Sequence, residues 1–336
     1  MLKITRWDGN PILAPRDTFS EQRQVRNPAA CCADGKVYMV YSARTVYSTI
    51  YLGLAVSDDG FHFERASDEP FMLPAEEGFD AGTLEDARMV RIGDTFYITY
   101  AARAIGKEDY ANGAKAKGAT SDGVTWTRNF RRGGLATTKD FKTVKRLGPI
   151  TRDDRYDCNI VLFPEKVNGR YVMLHRPTEY DVEPTDLVPE TPACIWMAFS
   201  DDLIHWENDQ ILARPQFDWE TMKIGPSTPP IKTAEGWLTL YHGAGYNEAG
   251  ERVYRVGLML LDLNDPTRVL ARCPNYIMEP ETPYELEGTV PRVVFPNGNV
   301  VINNTVYIYY GGADTVCAVA TVPLQDMLDH VLQYKG

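Results

Sequence analysis

The sequence predicts an all-β protein built as a five-bladed β-propeller, with one short helix near its C-terminal end. Three observations lead to this prediction. A turn followed by a strand of alternating aromatic and aliphatic residues recurs about every 60 to 75 residues, a spacing typical of repeat architectures. A second strand, closed by Ser-Asp-Asp-Gly or a related turn, follows the first. Helical periodicity is confined to residues 324–333.

The turn-and-strand element occurs five times, and each copy begins with a turn pair such as Asp-Gly or Asn-Gly. The copies are residues 34–44, 93–103, 168–176, 235–242 and 304–314. The second element occupies residues 54–63, 118–126 and 197–206, with weaker versions at 136–141 and 260–266. With a leading strand before each turn, every unit supplies about four strands, and five such units form a five-bladed propeller. No linker divides the chain, so we expect a single domain over residues 1–336.

Charge and composition exclude several classes of protein. The net charge of −11 argues against a nucleic-acid surface, which would need a basic face. No apolar run reaches the length of a membrane span, and residues 1–8 lack the apolar region of a signal peptide. The six cysteines show no disulfide-framework or metal-ligand spacing, so we expect reduced thiols in a cytoplasmic protein. No metal, nucleotide or redox cofactor is expected.

Two insertions depart from the repeat. Residues 104–117 and 178–192 are predicted to form long loops after the second strand of their units. Loops of this length in a compact domain are usually functional or disordered. We expect them to act as lids or as subunit contacts.

The repeat also predicts a pocket on the propeller axis, because the innermost strands and their loops converge there. Taken singly, each polar residue at such a place would be a solvated strand end. Polar residues at equivalent places in all units are more specific. One ring comprises Arg44, Arg103, His175 or Arg176, His242 and Asp314. A second ring comprises Asn27, Asp86, residues 157–159, Ser227 or Thr228, and Glu287 or Thr289.

The expected pocket contains charges of both signs. Its carboxylates are Asp86, Glu287 and Asp314, which with asparagine and aromatic residues suit a polyhydroxylated sugar. Its cations suit phosphate oxygens. These cations are Arg44, Arg88, Arg103, Arg176 and Lys223. A sugar together with phosphate indicates phosphorolysis of a glycosidic bond, or a sugar phosphate as substrate.

Four segments in order along the chain carry a family resemblance. They are Glu-Asp-Ala-Arg-Met-Val at 85–90, Val-Leu-Phe-Pro-Glu-Lys-Val-Asn-Gly-Arg-Tyr-Val-Met-Leu-His-Arg-Pro at 161–177, Lys-Ile-Gly at 223–225 with the segment 229–243, and Tyr-Tyr-Gly-Gly-Ala-Asp-Thr at 309–315. With them the chain resembles glycoside hydrolase family 130, the β-mannoside phosphorylases and their hydrolytic relatives. The resemblance implies a five-bladed propeller, inversion at the anomeric carbon, and association into a homo-oligomer.

The resemblance also implies roles for individual residues. Asp86 matches the single catalytic acid, which donates its proton through a hydroxyl of the mannosyl unit while phosphate attacks from the opposite face. Phosphate ligands carry over to Arg176 and Lys223, with His242 as a third. The positions that hold the mannosyl unit match Asn27, Arg44, Arg88 and Asp314. Glu287, one of the carboxylates of the expected pocket, is a further candidate substrate ligand.

The chain departs from the family pattern at two places. Ala87 replaces the usual proline, which keeps both neighbouring charged groups. Cys158 stands where several phosphorylases carry a cation. This leaves three alternatives open: weaker phosphate binding, replacement of the cation by Arg152 or Arg155, or the use of water.

Three functions therefore compete. The leading hypothesis is an inverting phosphorylase that converts a β-mannoside and inorganic phosphate into α-mannose 1-phosphate and a shortened acceptor. The first alternative is an inverting β-mannosidase, which needs a second carboxylate roughly 6.5–9.5 Å from the acid. Its candidates are Glu287, Glu285 and Asp157. The second alternative is a sugar-binding propeller without catalysis. For both enzymes, Arg88 near Asp86 opposes the raised pKa that a general acid needs.

Overall fold

The computed structural model describes residues 2–18, 20–114, 120–121, 124–125, 129, 131–153, 155–178 and 193–336. Within these ranges the protein is all-β, with strands far outnumbering helices. The helices are short: α1 (Lys107–Ala111), α2 (Pro283–Leu286), α3 (Leu324–Leu332) and a 3₁₀ turn at Asp218–Glu220. Helix α3 confirms the helix predicted at the C-terminal end, and it packs its buried side chains Met327, Leu328 and Val331 on the last strands.

The first half of the chain forms a two-residue strand, an eight-stranded sheet and a small ribbon. In chain order these strands are β1 (Thr5–Arg6), β2 (Gln24–Ala33), β3 (Lys36–Arg44), β4 (Ile50–Ser57), β5 (Glu64–Arg65), β6 (Thr83–Ile92), β7 (Thr95–Arg103), β8 (Thr120–Ser121), β9 (Val124–Thr125), β10 (Arg132–Thr138) and β11 (Lys145–Pro149). The sheet consists of two antiparallel groups, β2–β5 and β6-β7-β10-β11. The groups are joined by one parallel pair, Ile50 with Thr83.

The second half forms three further antiparallel sheets. The strands are β12 (Tyr156–Leu162), β13 (Tyr171–Thr178), β14 (Ile195–Ser200), β15 (Glu207–Ala213), β16 (Lys223–Pro226), β17 (Ile231–Lys232), β18 (Trp237–Tyr246), β19 (Arg252–Leu261), β20 (Val269–Arg272), β21 (Val294–Ile302), β22 (Thr305–Gly312) and β23 (Val316–Pro323). The sheets are β12–β15, β16–β20, and β21–β23 with β1.

Strand β1 brings the two ends of the described chain together. Thr5 pairs with Thr321 of β23, and Leu13 forms a further bridge with Cys317. Leu13 and Cys317 are both buried in one apolar cluster. The N-terminal segment therefore supplies the outer strand of the last sheet, which fixes the first strand group against the last.

A buried tyrosine bound to a charged pair recurs in four strand groups. The tyrosine lies on the second strand, and the arginine comes from the outermost one. The sets are Tyr41 with Glu21 and Arg65, Tyr100 with Asp80 and Arg146, Tyr241 with Arg272 and Glu220, and Tyr310 with Glu285 and Arg6. Each arginine thus ties the outer strand to a tyrosine or acid near the inner strands. Because buried polar groups need partners, these sets satisfy one another.

His175 takes the place of this tyrosine in the group β12–β15. It lies six residues after Gly169, as Tyr41 lies six residues after Gly35. Its Nδ1 is 2.8 Å from Asp157 Oδ2, and its Nε2 is 2.8 Å from Asp209 Oδ1. Burial alone would lower the pKa of His175, but the two carboxylates outweigh it and raise the pKa to about 9. The imidazole is therefore charged at neutral pH.

This charge predicts a pH-dependent stability. The pKa of His175 is about 9 in the folded chain, against 6.5 for an unperturbed histidine. The stabilisation is therefore complete below about pH 6.5 and is lost as pH rises through about 9. A shift of this size corresponds to about 3 kcal/mol of unfolding free energy. Chemical denaturation at pH 6 and pH 9.5 should show the loss in the wild type but not in His175→Gln. An equal loss in both proteins would contradict the assignment.

Candidate active site

A cavity of about 410 Å³ lies where the inner strands of the strand groups converge. Each of β2, β6, β12, β16 and β21 contributes at least one side chain to its wall. Neighbouring inner strands also pack against one another, β2 against β6 and β21, and β12 against β6 and β16. The cavity is therefore enclosed by the whole set of inner strands rather than by one sheet.

Six of the nine residues that were assigned a catalytic, sugar-binding or phosphate-binding role line this cavity. They are Asn27, Arg44, Asp86, Arg176, Lys223 and Asp314. The other three lie elsewhere. Arg88 is buried behind the wall, where it donates to the backbone oxygens of Asp86 and Ser227. His242 is fully buried behind the wall, and Glu287 is exposed at the end of α2.

The backbone turns three of the inner strands so that a polar side chain enters the cavity. Asn27, Asp86 and Asn159 all have positive φ, at 54°, 55° and 58°. Each lies where the pairing register of its strand shifts, which marks a β-bulge. Asparagine and aspartate tolerate this left-handed conformation better than other non-glycine residues. The same local device therefore places three site residues at equivalent positions.

Asp86 lies on the acidic side of the cavity and is only 6% exposed. Its Oδ1 accepts a hydrogen bond of 2.7 Å from Asn27 Nδ2, and its backbone N–H donates to Ser42 Oγ. Arg26 and Arg131 approach its carboxylate to 3.7 and 3.8 Å. The side chain is thus held by one amide and faces two guanidiniums.

Glu85 and Asp314 complete the acidic side. Glu85 is clamped between Arg26 at 2.9 Å and Arg131 at 2.7 Å. Asp314 Oδ1 accepts from Arg26 Nη1 at 2.9 Å and lies 3.5 Å from Asn27 Nδ2. Arg26 therefore bridges the acids, and Asn27 is shared between Asp86 and Asp314. Neither Arg26 nor Arg131 was among the site residues predicted from the sequence.

The pKa values of Asp86 and Asp314 are shifted in opposite directions. Burial raises the pKa of Asp86, but Arg26, Arg131 and Arg88 together lower it further, so the net pKa is below its ordinary value. For Asp314, burial is again the largest cause, and the charge of Arg26 does not cancel it. The pKa of Asp314 is therefore raised. Asp86 is therefore ionised at neutral pH.

A second part of the cavity wall is cationic. Arg176 Nη2 donates to Cys158 Sγ at 3.1 Å, and its Nη1 lies 3.5 Å from His242 Nε2. Lys223 and Arg252 lie over the ring of Tyr254, at 5.3 and 5.7 Å from its centroid. All of these except His242 and Cys158 line the cavity. Arg176, Lys223 and Arg252 thus form a cationic group in the cavity wall.

His242 lies behind this cationic group and next to Arg176. Its Nε2 is 3.1 Å from Asn159 Nδ2, and its Nδ1 is 3.1 Å from Ser227 Oγ. It thereby connects β12, which carries Asn159, to the residue that follows β16, the strand of Lys223. Its predicted contact with phosphate stays a prediction, because it is fully buried behind the cavity wall.

Arg152 and Arg155 do not line the cavity. They were the candidates to replace the cation that several phosphorylases carry at the position of Cys158. Arg155 binds Asp209 and stacks over the ring of Trp196 at 5.5 Å. Instead, Arg103 and Arg131 line the cavity next to Tyr156, at 5.7 and 5.8 Å from its ring centroid. Arg103 belongs to the first ring of the sequence analysis. Arg131, beside Arg132 just before β10, has a position that no sequence pattern indicated.

The carboxylates considered for a hydrolytic base also lie outside the cavity wall. Glu285 is fully buried and binds Arg6 and Tyr310, and Asp157 is fully buried against His175. Glu287 is exposed. The acids among the described lining residues are Glu85, Asp86, Glu108, Asp109 and Asp314.

The insertions have different outcomes. Gly106, Glu108 and Asp109 of the first insertion line the cavity, so its described part borders the site. The second insertion lies outside the described residues except for Thr178.

Over the described chain, no group of three or more histidine, cysteine or acidic side chains is arranged to hold a metal ion. No described helix is long and apolar enough to cross a membrane.

Comparisons with known proteins agree over nearly the whole chain. The model of glycoside hydrolase family 130, described as beta-1,4-mannooligosaccharide phosphorylase, matches residues 5–333. A 1,2-beta-oligomannan phosphorylase of Thermoanaerobacter sp. (strain X514) is 37% identical, over 97% of this chain and 99% of its own. A beta-1,2-mannobiose phosphorylase of Listeria innocua is 33% identical, over 95% and 76%.

A solved structure shares the fold. The structure of the beta-1,2-mannobiose phosphorylase from Listeria innocua in complex with beta-1,2-mannobiose superimposes with a TM-score of 0.80 and 27% identity. The match covers 99% of this chain and 100% of that one.

Proposed function

The chain belongs to glycoside hydrolase family 130, and from this membership we propose that it phosphorolyses a β-linked mannoside with inversion. The reaction transfers the mannosyl unit to inorganic phosphate and releases α-mannose 1-phosphate and a shortened acceptor. One observation carries the proposal: a buried carboxylic acid, Asp86, and the cations Arg176, Lys223 and Arg252 line the same cavity of about 410 Å³. Inversion needs the acid and the nucleophile on opposite faces of the sugar.

We propose a β-1,2 linkage in the substrate. The relatives of highest identity above are named for 1,2-beta-oligomannan and beta-1,2-mannobiose. Relatives named for β-1,4 linkages and for mannosylglucose are 30% identical. The linkage proposal therefore follows the more similar relatives.

The mannosyl unit would lie against the acidic side. Asn27 lines the cavity there and donates to Asp86 through its Nδ2, so it orients the acid beside the sugar. Asp314 and Arg44 reach the cavity from the neighbouring strand ends. In this pose Asp86 donates its proton toward the glycosidic oxygen, through a mannosyl hydroxyl as the family resemblance implies.

Phosphate would lie against Arg176 and Lys223. These side chains offer charge-assisted hydrogen bonds to phosphate oxygens. The bound phosphate also brings negative charge into a cavity whose guanidiniums lower the pKa of Asp86. A nearby anion favours the protonated form of a carboxyl group. Phosphate therefore supplies the nucleophile. Its charge also raises the pKa of Asp86, which favours the protonated form that the acid needs in order to donate.

This coupling predicts different pH profiles for kcat and for kcat/KM of phosphate. Activity falls as pH rises through the pKa of Asp86, because the acid must be protonated. The kcat/KM profile reports the phosphate-free enzyme and the kcat profile reports the complete complex. We expect the alkaline fall of kcat to lie at higher pH than that of kcat/KM. Initial rates at a series of phosphate concentrations and pH values check this, and the reverse order would contradict it.

We further propose that the strand groups form one domain of five blades around this cavity. Five inner strands contribute to its wall. The tyrosine sets and His175 repeat one contact pattern in five places. Strand β1 joins the first group to the last.

Substrate assays test the function. The protein is incubated with β-1,2-, β-1,3- and β-1,4-mannobiose and with mannosyl-glucose, each with and without phosphate. Mannose 1-phosphate and free mannose are measured separately. We expect mannose 1-phosphate from the β-1,2 substrate in the presence of phosphate. Free mannose at an equal rate without phosphate would favour the hydrolase instead.

A further inference from the structure

An exposed aromatic side chain lies at the mouth of the cavity. Tyr47, between β3 and β4, lines the cavity yet is 76% exposed, the highest value among the exposed large hydrophobic side chains of the described residues. By contrast, Asp86 at the inner end is 6% exposed. The roles assigned above do not use Tyr47. An apolar surface left in water beside a polar cavity is typical of a binding surface.

The turn that carries Tyr47 is held in one conformation. Thr45 N–H donates to Thr49 O at 3.0 Å, and Ser48 N–H donates to Thr45 O at 3.0 Å. Ser48 has φ 68°, an uncommon conformation for a residue other than glycine. Its hydroxyl accepts hydrogen bonds from Arg23 at 3.2 Å and from Arg44 at 3.1 Å. The backbone that presents the ring is therefore pre-organised, which reduces the entropy lost on binding.

Polar groups border the same mouth. Arg44 also binds Glu108 of α1 at 2.6 Å, which connects the Tyr47 turn to the first insertion. Glu108 and Asp109 line the cavity beside Gly106. A pyranose has an apolar face of C–H groups and a rim of hydroxyls, so an aromatic face flanked by carboxylates matches both parts.

We propose that Tyr47 is a platform for the acceptor-side sugars that lie beyond the first one, and that it sets the preference for substrate chain length. The proposal rests on the proposed function. The mannosyl unit and the scissile bond lie at the inner end beside Asp86. The acceptor chain extends toward solvent past Arg44. The ring at the mouth therefore contacts sugars that a disaccharide does not possess.

Three variants test the platform. Tyr47→Ala removes the ring, and Tyr47→Phe keeps it without the hydroxyl. Leu73→Ala is a matched control, because Leu73 is 54% exposed and does not line the cavity. Rates are measured with β-1,2-mannobiose and with β-1,2-mannotetraose at saturating phosphate. For Tyr47→Ala we expect kcat/KM for the tetraose to fall about tenfold, equivalent to about 1.4 kcal/mol. The fall for the biose should be much smaller.

The remaining outcomes decide the proposal. Tyr47→Phe should retain the wild-type ratio between the two substrates, and Leu73→Ala should change neither rate. An equal fall for biose and tetraose, or no fall for either, would overturn the proposal. If the wild type phosphorolyses neither sugar, the proposed function fails, and calorimetric titration with β-1,2-mannotetraose still tests the platform. Equal affinity of wild type and Tyr47→Ala would then overturn it.

Discussion

Replacing Asp86 with asparagine is expected to lower kcat for phosphorolysis by about 10³-fold, within the range that a general acid contributes. Asparagine has nearly the same shape and remains within reach of Asn27 Nδ2, which now donates to Oδ1 at 2.7 Å. It has no acidic proton to give to the leaving group. Substrate affinity, measured by calorimetry, should change much less than kcat.

A substrate with a good leaving group separates acid catalysis from a structural effect. An aryl β-mannoside needs less protonation of its leaving oxygen than mannobiose does. Asp86→Asn should therefore retain much more of the wild-type rate on the aryl substrate. Equal losses on both substrates, in a variant with unchanged circular dichroism, would show that Asp86 does not act as the acid.

The second large effect concerns phosphate. Arg176→Gln and Lys223→Gln should each raise KM for phosphate by about 10- to 100-fold, since a hydrogen bond to a charged group contributes about 1.5–3 kcal/mol. Both side chains line the cavity that contains Asp86. KM for the mannoside should change by less than the KM for phosphate. Initial-rate kinetics with each substrate varied separately provide the measurement.

Arg155→Gln is the matched control for these variants. Arg155 lies just before β12, the strand that pairs with the Arg176 strand β13. It binds Asp209 and stacks on Trp196, outside the cavity wall. Its replacement should leave KM for phosphate at the wild-type value. An increase as large as that of Arg176→Gln would mean that Arg155 replaces the cation absent at Cys158, against the geometry described above.

The strand content and the position of the pocket could be predicted because they depend on local patterns. Alternation of aromatic and aliphatic residues indicates a strand with one buried face, and its recurrence indicates equivalent units. The residues at the ends of those strands, such as Arg44 and Asp314, therefore reached the cavity as expected. The same reasoning located Asp86 in a leading strand.

The rest depends on contacts between strands that a single sequence does not display. Arg26 enters the site beside Asn27 because the register shifts at that bulge, and a bulge is defined by the partner strand. Glu287 lies at the end of a short helix, so the repeat could not place it. His175 was an alternative to Arg176 in the predicted ring, but it is not among the lining residues of the cavity; it binds Asp157 of β12 and Asp209 of β15 instead.

NMR of the reaction products distinguishes phosphorolysis from hydrolysis, and inversion from retention. β-1,2-mannobiose and inorganic phosphate are mixed with the enzyme, and the first product is followed by ¹H and ³¹P NMR before any anomeric exchange. We expect α-mannose 1-phosphate to appear together with one equivalent of mannose, and we expect no reaction without phosphate. β-Mannose 1-phosphate would contradict inversion, and free mannose as the sole product would contradict phosphorolysis.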